Sequence, residues 1–208
     1  MLDRHERARL SLIINGGKRL PLIRRDIMFS SGATELLERY ATGVRDFSRA
    51  NLRAIVLKQA NLRGINLQDA DLGDANLLNA DLMEADLSSA NLSHASLQKA
   101  DLTQANLESA TLHKADMREA KLHGTRLCGA DLREVNLSNA DLRDADLKGA
   151  TLSGADLLHA SFYRANLGGA DLRGADLFQV HLKDAYFDDK TQFDPGFDPI
   201  ALKMQRSG

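Results

Sequence analysis

Residues 70–89 read ADLGDANLLNADLMEADLSS, which is four successive copies of one five-residue unit. Each unit begins with alanine, continues with Asp or Asn and then leucine, and ends with two variable residues. The leucine position recurs at every fifth residue from 47 to 187 without a skip. Leucine occupies all of these positions except Phe47, Met117, Phe162 and Phe187. A repeat of fixed period determines the fold class before any single residue does.

The five-residue period excludes an amphipathic helix. On an α-helix, positions five apart differ by about 140°, so successive leucines would spread around the axis. On an extended strand, the alanine and the leucine point to one side and the residue between them points to the other. The two variable residues must then turn the chain. Short extended sides joined by regular corners predict coils that stack along one axis around an apolar column.

Units such as Ala70-Asp71-Leu72 and Ala140-Asp141-Leu142 resemble the pentapeptide-repeat family, and the resemblance covers residues 45–189. It implies an all-β fold, a right-handed quadrilateral parallel β-helix with four units per coil, whose interior is lined by leucine and alanine. About seven coils spaced by ~4.8 Å would form a rod roughly 34 Å long. No insertion breaks the period, so we predict no large loop along the rod. The lead-in at 35–48, ELLERYATGVRDFS, is similar to that of bacterial, cyanobacterial-like members.

The period divides the chain into four segments. These are an N-terminal extension (1–33), a capping helix (34–44), the solenoid (45–189), and a C-terminal cap and tail (190–208). In the extension, Asn15-Gly16-Gly17 lies between two apolar runs, 12–14 and 20–23, and predicts a hairpin. The extension is also basic, which would suit an arm for nucleic acid or an acidic partner. We favour a solvated extension, because the basic residues are few and no aromatic residues are interleaved with them.

Both ends of a solenoid need protection, because a terminal coil exposes its core and a free strand edge. At the start, Thr34 can cap a short helix and Gly43 can end it, which predicts a helix over the first coil. At the end, three aromatic rings are expected to close the column, those of Phe187, Phe193 and Phe197. The tail from Lys203 onward is expected to fray.

The repeat shows no arrangement typical of a catalytic or cofactor-binding site. A column filled with leucine and alanine leaves no pocket. We predict that the Asp and Asn side chains bond neighbouring backbone or stack in ladders, rather than acting as acid–base pairs. His94 and His113 can share a face, but no third ligand accompanies them, and a closed metal site needs four. We therefore predict a non-enzymatic protein without cofactor or metal, with an acyltransferase-like enzyme as the third hypothesis for function.

Location and redox chemistry are also constrained. No window of about 18 apolar residues exists, so no membrane span is expected. The first ten residues are charged and are followed by only a short apolar run, 12–14, which is not the pattern of a signal peptide. We expect a cytoplasmic protein. The single cysteine, Cys128, follows a central leucine, and we predict an inert thiol at or near the surface.

One hypothesis for function is DNA mimicry, as in the branch of the family that protects DNA gyrase from quinolones. Charge argues against it. Between Arg45 and Asp189 there are 22 acidic and 16 basic residues, a net charge of −6. B-DNA carries one charge per ~1.7 Å, so a rod of ~34 Å would need about twenty uncompensated negative charges. A mimic that binds gyrase or topoisomerase is therefore the alternative rather than the first prediction.

The first prediction is a protein–protein interaction scaffold with an unidentified partner. With four units per coil, residues 20 apart stack on one side of the rod. Leu158 and Phe178 are 20 apart, and Tyr163 belongs to the adjoining side, so the three are predicted to form an exposed apolar patch near the C-terminal end. Leu78 and Met83 form a lesser pair near the start. We also expect a homodimer through the C-terminal end, no direct nucleic-acid binding and no membrane partner.

Overall fold

The computed structural model describes residues 32–207 together with the backbone of two short strands, Ile13–Asn15 (β1) and Lys18–Leu20 (β2). The two strands pair antiparallel, with Ile13 opposite Leu20. A hairpin therefore forms at the predicted place, but its second strand comes earlier than the apolar run at 20–23. The other predictions for residues 1–31 lie outside the described part of the chain.

A helix, Gly32–Ala41 (α1), precedes the repeats. It begins before the predicted Thr34, and the φ of Gly43 is 96°, a conformation that ends helices at little cost for glycine. Leu36 of α1 is fully buried within the hydrophobic core. The Tyr40 hydroxyl donates a hydrogen bond to the Arg63 carbonyl at 2.8 Å. These contacts place α1 against the first coil.

Parallel bridges between residues 20 apart, such as Asp71 with Asn91, join successive coils from Asp46 onward. Each coil therefore has four sides of five residues. The bridges continue without interruption as far as Tyr186, so the prediction of no large loop along this part is confirmed. We name the sides by the leucines of the first turns, and each side continues every 20 residues: side A from Leu52, side B from Leu57, side C from Leu62 and side D from Leu67.

The two variable residues of each unit form a tight turn. The amide of the following alanine donates to the leucine carbonyl, as from Ala75 to Leu72 at 3.0 Å. The second variable residue has a positive φ in every turn from Arg49 to Asp184, for example 57° at Asp69. Glycine and polar residues tolerate this region, whereas β-branched residues are strained there. No Val, Ile or Thr occupies these positions, so the turns restrict which residues can stand there, as the apolar core does at the leucine and alanine positions.

The leucine and alanine positions fill the column. Side chains at these positions are almost completely buried along the body of the rod, and Phe162 is the largest of them. Thr125 stands at an alanine position and is fully buried. Its hydroxyl donates to the Leu102 carbonyl at 2.8 Å, so the buried polar group has a partner.

The period shifts by one residue after Phe187, because Gln192 bridges Asp171. The chain then returns, and strand Tyr186–Phe187 (β3) pairs in parallel with Gln205–Arg206 (β4). The prediction that the tail frays from Lys203 is wrong. Met204 is buried, and the Ser207 amide donates to the Phe187 carbonyl at 2.8 Å, so packing and hydrogen bonds fix the tail.

The three C-terminal rings lie against the end of the column, as expected. Phe193 stacks on Phe197 with ring centroids 4.5 Å apart, and Phe187 meets Phe193 edge to face at 6.3 Å. All three are partly buried against the core. Their stack covers only part of the last coil and leaves Leu177 and Val180 half-buried.

Candidate interaction surfaces

The Asp or Asn of each unit binds its own turn and often the neighbouring coil. The carboxylate of Asp71 accepts the Gly73 amide at 3.0 Å, and the same oxygen accepts the side-chain amide of Asn91 at 2.8 Å. The same pairing joins Asp86 to Asn106 and Asp146 to Asn166. The prediction that these side chains bond backbone and stack in ladders is confirmed, and it gives them a structural role.

Four aspartates each hold an arginine two residues later on the same side. In the pair of Asp131 and Arg133, Nε and Nη2 of the arginine donate to the two carboxylate oxygens at 2.8 and 2.6 Å. The guanidinium of Arg133 lowers the pKa of the Asp131 carboxyl. The other pairs are Asp116 with Arg118, Asp141 with Arg143 and Asp171 with Arg173. Each pair cancels its own charge, so these aspartates add nothing to the net charge of their side.

Possible metal and thiol chemistry rests on three residues. His94 and His113 do share side A, with ring centroids 6.0 Å apart in an edge-to-face arrangement. Within residues 32–207, no three His, Cys, Asp or Glu side chains converge as metal ligands would. Burial raises the pKa of the half-buried Cys128 thiol to about 11, so it is protonated at neutral pH.

An open groove of about 570 Å³ lies at the corner between sides C and D. Its polar lining mixes acids and bases, including Asp144, Asp146, Lys148, Arg164 and Asp188. Arg164 Nε lies 3.1 Å from an Asp144 oxygen, so two of these charges neutralise each other. Ser207, which also lines the groove, donates its hydroxyl to the Phe187 carbonyl at 3.0 Å rather than to a carboxylate or an imidazole.

The predicted apolar patch lies at the C-terminal end of side B. The bridge between Asp156 and Asp176 places Phe178 one coil above Leu158. Phe178 is 65% exposed and Leu158 is half-buried. Tyr163, on side C, is 38% exposed. No Lys or Arg occurs on side B from Asn136 to Gln179, so Leu158 and Phe178 are accompanied on that side by neutral and acidic side chains and by His159.

The sequence did not reveal that side B ends in an open strand edge. Asp176 is bridged to the coil below, but no residue in the described part of the chain bridges it from above. Leu177 and Val180 are therefore half-buried, whereas Leu157 and Ala160, one coil below, are fully buried. Ile200 and Leu202, in the returning tail, add exposed apolar surface. The only sequence signal for this edge is the loss of period after Asp189.

No helix in the described residues has the length and apolar content needed to span a bilayer.

Comparison with known proteins gives a family match and several solved structures. The family model described as pentapeptide repeats matches in eight copies over residues 46–82, 85–124, 115–149 and 140–179, which is well over half of the chain. HetL from Nostoc sp. strain PCC 7120, a pentapeptide repeat protein involved in heterocyst differentiation regulation, is 31% identical. The match covers 78% of this chain and 90% of HetL, with a TM-score of 0.53.

Two further solved structures show lower similarity of shape. Rfr23, a pentapeptide repeat protein from the cyanobacterium Cyanothece 51142, is 41% identical over 45% of this chain and 64% of its own, with a TM-score of 0.45. QnrB1, a plasmid-mediated fluoroquinolone resistance protein, is 17% identical over 70% of this chain and 79% of its own, with a TM-score of 0.33. None of the curated proteins compared with the chain matches it.

Proposed function

The chain belongs to the pentapeptide-repeat family, and from that premise we propose that it is a non-enzymatic scaffold, a rigid rod whose sides bind another protein. The solved family members imply a right-handed quadrilateral β-helix for the 20-residue coils. Such a rod holds its surface residues at regular spacings, because backbone hydrogen bonds fix each coil to its neighbours. Binding then needs no rearrangement of the rod, only suitable side chains on one side.

The segment boundaries are part of this proposal. We propose that 34–44 caps the first coil, because Leu36 enters the core and Tyr40 binds the backbone of the coil. Residues 45–189 are the rod, and 190–208 form the C-terminal cap, since the Phe193 and Phe197 rings lie over the column. A cytoplasmic location completes the proposal. Cell fractionation with an antibody to the chain tests it, and recovery in the membrane or exported fraction would contradict it.

The observation that carries the proposal is the exposure of Phe178. Large apolar side chains are absent from the corresponding position of side B in four of its seven coils, where Lys58, Gln98, Arg118 and Ser138 occur instead. Phe178 is 65% exposed, and it lies one coil above Leu158, so the two side chains form one apolar surface on side B. Aromatic side chains are enriched at protein–protein interfaces and often anchor them. Leu158, Tyr163 and Phe178 are thus the proposed contact residues, either for another protein or for a second copy of the chain.

DNA mimicry ranks second for a physical reason. The most acidic side is side D, which carries Asp46, Asp69, Asp86, Glu108, Asp146, Asp188 and Asp189 against Arg45, Arg49, Arg126 and Lys148, a net charge of −3. A duplex of the same ~34 Å length presents about twenty negative charges. Three of the acids on side D are also paired, Asp69 with Arg49, Glu108 with Arg126 and Asp189 with Arg206. The acidity of this side is therefore far below that of DNA.

An affinity capture from host lysate, read by mass spectrometry, tests the scaffold. The double variant Leu158→Asp with Phe178→Asp should lose a protein that the native chain captures. The matched control is Leu78→Asp with Met83→Asp, at the other end of the rod, where both side chains are half-buried, as Leu158 is. This control should retain the protein.

Three results would change the proposal. Equal capture by both double variants would remove the patch from it. Gyrase or topoisomerase subunits in the eluate would place the mimic first. A partner captured by the full chain but lost by residues 32–208 would make the basic extension the recognition element.

A further inference from the structure

Two pairs of aspartates stack directly on each other among the bridges of the described residues, Asp81 with Asp101 and Asp156 with Asp176. Like charges placed opposite each other on adjacent strands repel. In the first pair the repulsion is relieved by bases. Lys121, bridged to Asp101 from the next coil, places Nζ 3.1 Å from the Asp101 carboxylate. Arg63 Nε lies 3.2 Å from the Asp81 carboxylate.

The second pair repeats this arrangement without the bases. Asp156 accepts the Asn136 side-chain amide at 3.1 Å, and Asp176 accepts the Phe178 amide at 2.9 Å. Neither carboxylate forms an ion pair with a residue in the described part of the chain. The position that Lys121 holds above Asp101 has no counterpart above Asp176, because the chain leaves side B after the last coil. The position above Asp156 and Asp176 is therefore unoccupied, whereas the equivalent position above Asp81 and Asp101 is filled by Lys121.

The backbone at this position is arranged to accept another parallel strand. One coil below, the Leu157 amide donates to the Asp176 carbonyl at 3.2 Å, and the Asn139 amide two coils below donates to the Leu158 carbonyl at 2.8 Å. The equivalent amide on the last coil belongs to Leu177, and no described backbone carbonyl accepts from it. The Gln179 amide has no described backbone acceptor either, like the His159 amide one coil below. Unpaired edge groups of this kind recruit extended segments of other chains.

We propose that an extended segment of a partner protein, with the pattern small residue–basic residue–leucine, adds to the end of side B as a further parallel strand. The basic residue lies over Asp176 as Lys121 lies over Asp101, and the leucine covers the half-buried Leu177. The small residue lies over Ala175, at the position that alanine holds in most coils. The chain itself contains this pattern at residues 120–122, Ala-Lys-Leu, stacked on the coil of Asp101. This inference rests on the scaffold proposal and specifies which segment of a partner it accepts.

A synthetic peptide of about ten residues centred on Ala-Lys-Leu is the probe, and an otherwise identical Ala-Asp-Leu peptide is its control. Titrated into the ¹⁵N-labelled full chain, the first peptide should shift the Leu177 and Gln179 amide resonances and slow their hydrogen exchange. The Asn139 amide, which already has its backbone partner, should not change. The Ala-Asp-Leu peptide should bind more weakly, by about three- to fivefold.

Exchanging the charge gives the decisive comparison. Asp176→Lys should weaken binding of the Ala-Lys-Leu peptide and strengthen binding of the Ala-Asp-Leu peptide. Glu84→Lys is the matched control, since it makes the same charge change at an exposed position of side C and should leave both affinities unchanged. Asp176→Asn serves in its place if the lysine variant does not fold, and it should remove the preference between the peptides.

The proposal is overturned if the Leu177 and Gln179 resonances do not respond to the peptide, or if Asp176→Lys binds both peptides like the native chain. Shifts of these amides that depend on protein concentration alone would show that a second copy occupies the edge, which also overturns it. The scaffold proposal fails separately. A captured protein that needs Leu158 and Phe178 but tolerates Asp176→Lys keeps the scaffold and rejects the strand.

Discussion

Asn91 and Asp71 lie on adjacent coils of side A, and the side-chain amide of Asn91 donates to the Asp71 carboxylate at 2.8 Å. The same oxygen of Asp71 accepts the Gly73 amide at 3.0 Å. One carboxylate oxygen therefore closes a turn and joins two coils. Where Asp and Asn alternate along a side, the acid gains a donor from the neighbouring coil and two carboxylates do not stack on each other.

Replacing Asn91 with aspartate tests how much this alternation contributes to the stability of the rod. Asn91→Asp removes the donor and stacks two carboxylates at about the 4.8 Å strand spacing, which should lower the free energy of unfolding by about 1 kcal/mol. Urea unfolding measures the change, and added salt should reduce it by screening. Asn91→Thr is the control, because Thr111 and Thr151 occupy the same position on side A. An Asn91→Asp variant as stable as the threonine variant would show that the alternation carries no energy.

The turns make a second prediction. Ser89 has a φ of 57° and is exposed, with no side-chain hydrogen bond within the described residues. Ser89→Val should lower the free energy of unfolding by about 1–2 kcal/mol, because a β-branched residue is strained in the left-handed region. Ser89→Gly should be at least as stable as the native chain. Thermal unfolding of the three proteins checks the order, and a valine variant that melts with the native chain would contradict it.

The apolar column could be predicted because every unit repeats the same five-residue pattern, whereas the 20-residue coil was implied by the resemblance to the pentapeptide-repeat family. The turn conformation was also present in the sequence, as glycines and missing β-branched residues at one position, although the two variable residues were interpreted only as a corner. Leu158 and Phe178 were placed correctly on one side because their spacing equals one coil.

The ends of the rod could not be predicted in the same way. Met204 is buried because the chain returns to β3 after an aperiodic segment, and no local pattern encodes that return. The start of α1 at Gly32 reflects tertiary packing, since Gly32 lies close to Ile55 of the first coil. The edge above Asp176 is open because the returning tail pairs with β3 and not with side B. Such features depend on long-range contacts that a periodic sequence leaves undetermined.

Acid should destabilise the rod through its aspartate–arginine pairs. The Arg133 guanidinium holds the pKa of the Asp131 carboxyl below its usual value of 3.8. As the pH falls, the Asp131 carboxyl therefore takes up its proton earlier in the unfolded chain than in the folded chain. The pair contributes its full stability above pH 3.8 and loses it as the pH falls through the pKa of the folded chain. Carbon-detected NMR titration of Asp131 measures the midpoint. Arg133→Gln should raise the midpoint, and an unchanged midpoint would remove the guanidinium as the cause.

The thiol of Cys128 should react slowly. Its pKa of about 11, raised by burial from the ordinary 9.0, leaves very little thiolate at neutral pH. Reaction of the native chain with a disulfide reagent at pH ~8 should be much slower than that of a free cysteine, and the rate should keep rising beyond pH ~10. Urea-unfolded chain is the control and should react at the rate of a free thiol. Rapid reaction of the folded chain would contradict the burial of this group.

Order in the C-terminal tail makes the last prediction. Met204 is 4% exposed, the Gln205 amide donates to the Ala185 carbonyl at 2.8 Å, and the Ser207 amide donates to the Phe187 carbonyl at the same distance. Met204→Asp would bury a charge in place of an apolar side chain, which should cost about 2–4 kcal/mol and release the tail. Each coil contacts only its neighbours, so the loss should remain local. Hydrogen exchange should accelerate at Gln205 and Ser207 in the variant but not at Leu112 in the middle of the rod. Uniform acceleration would mean that the tail and the rod unfold as one unit.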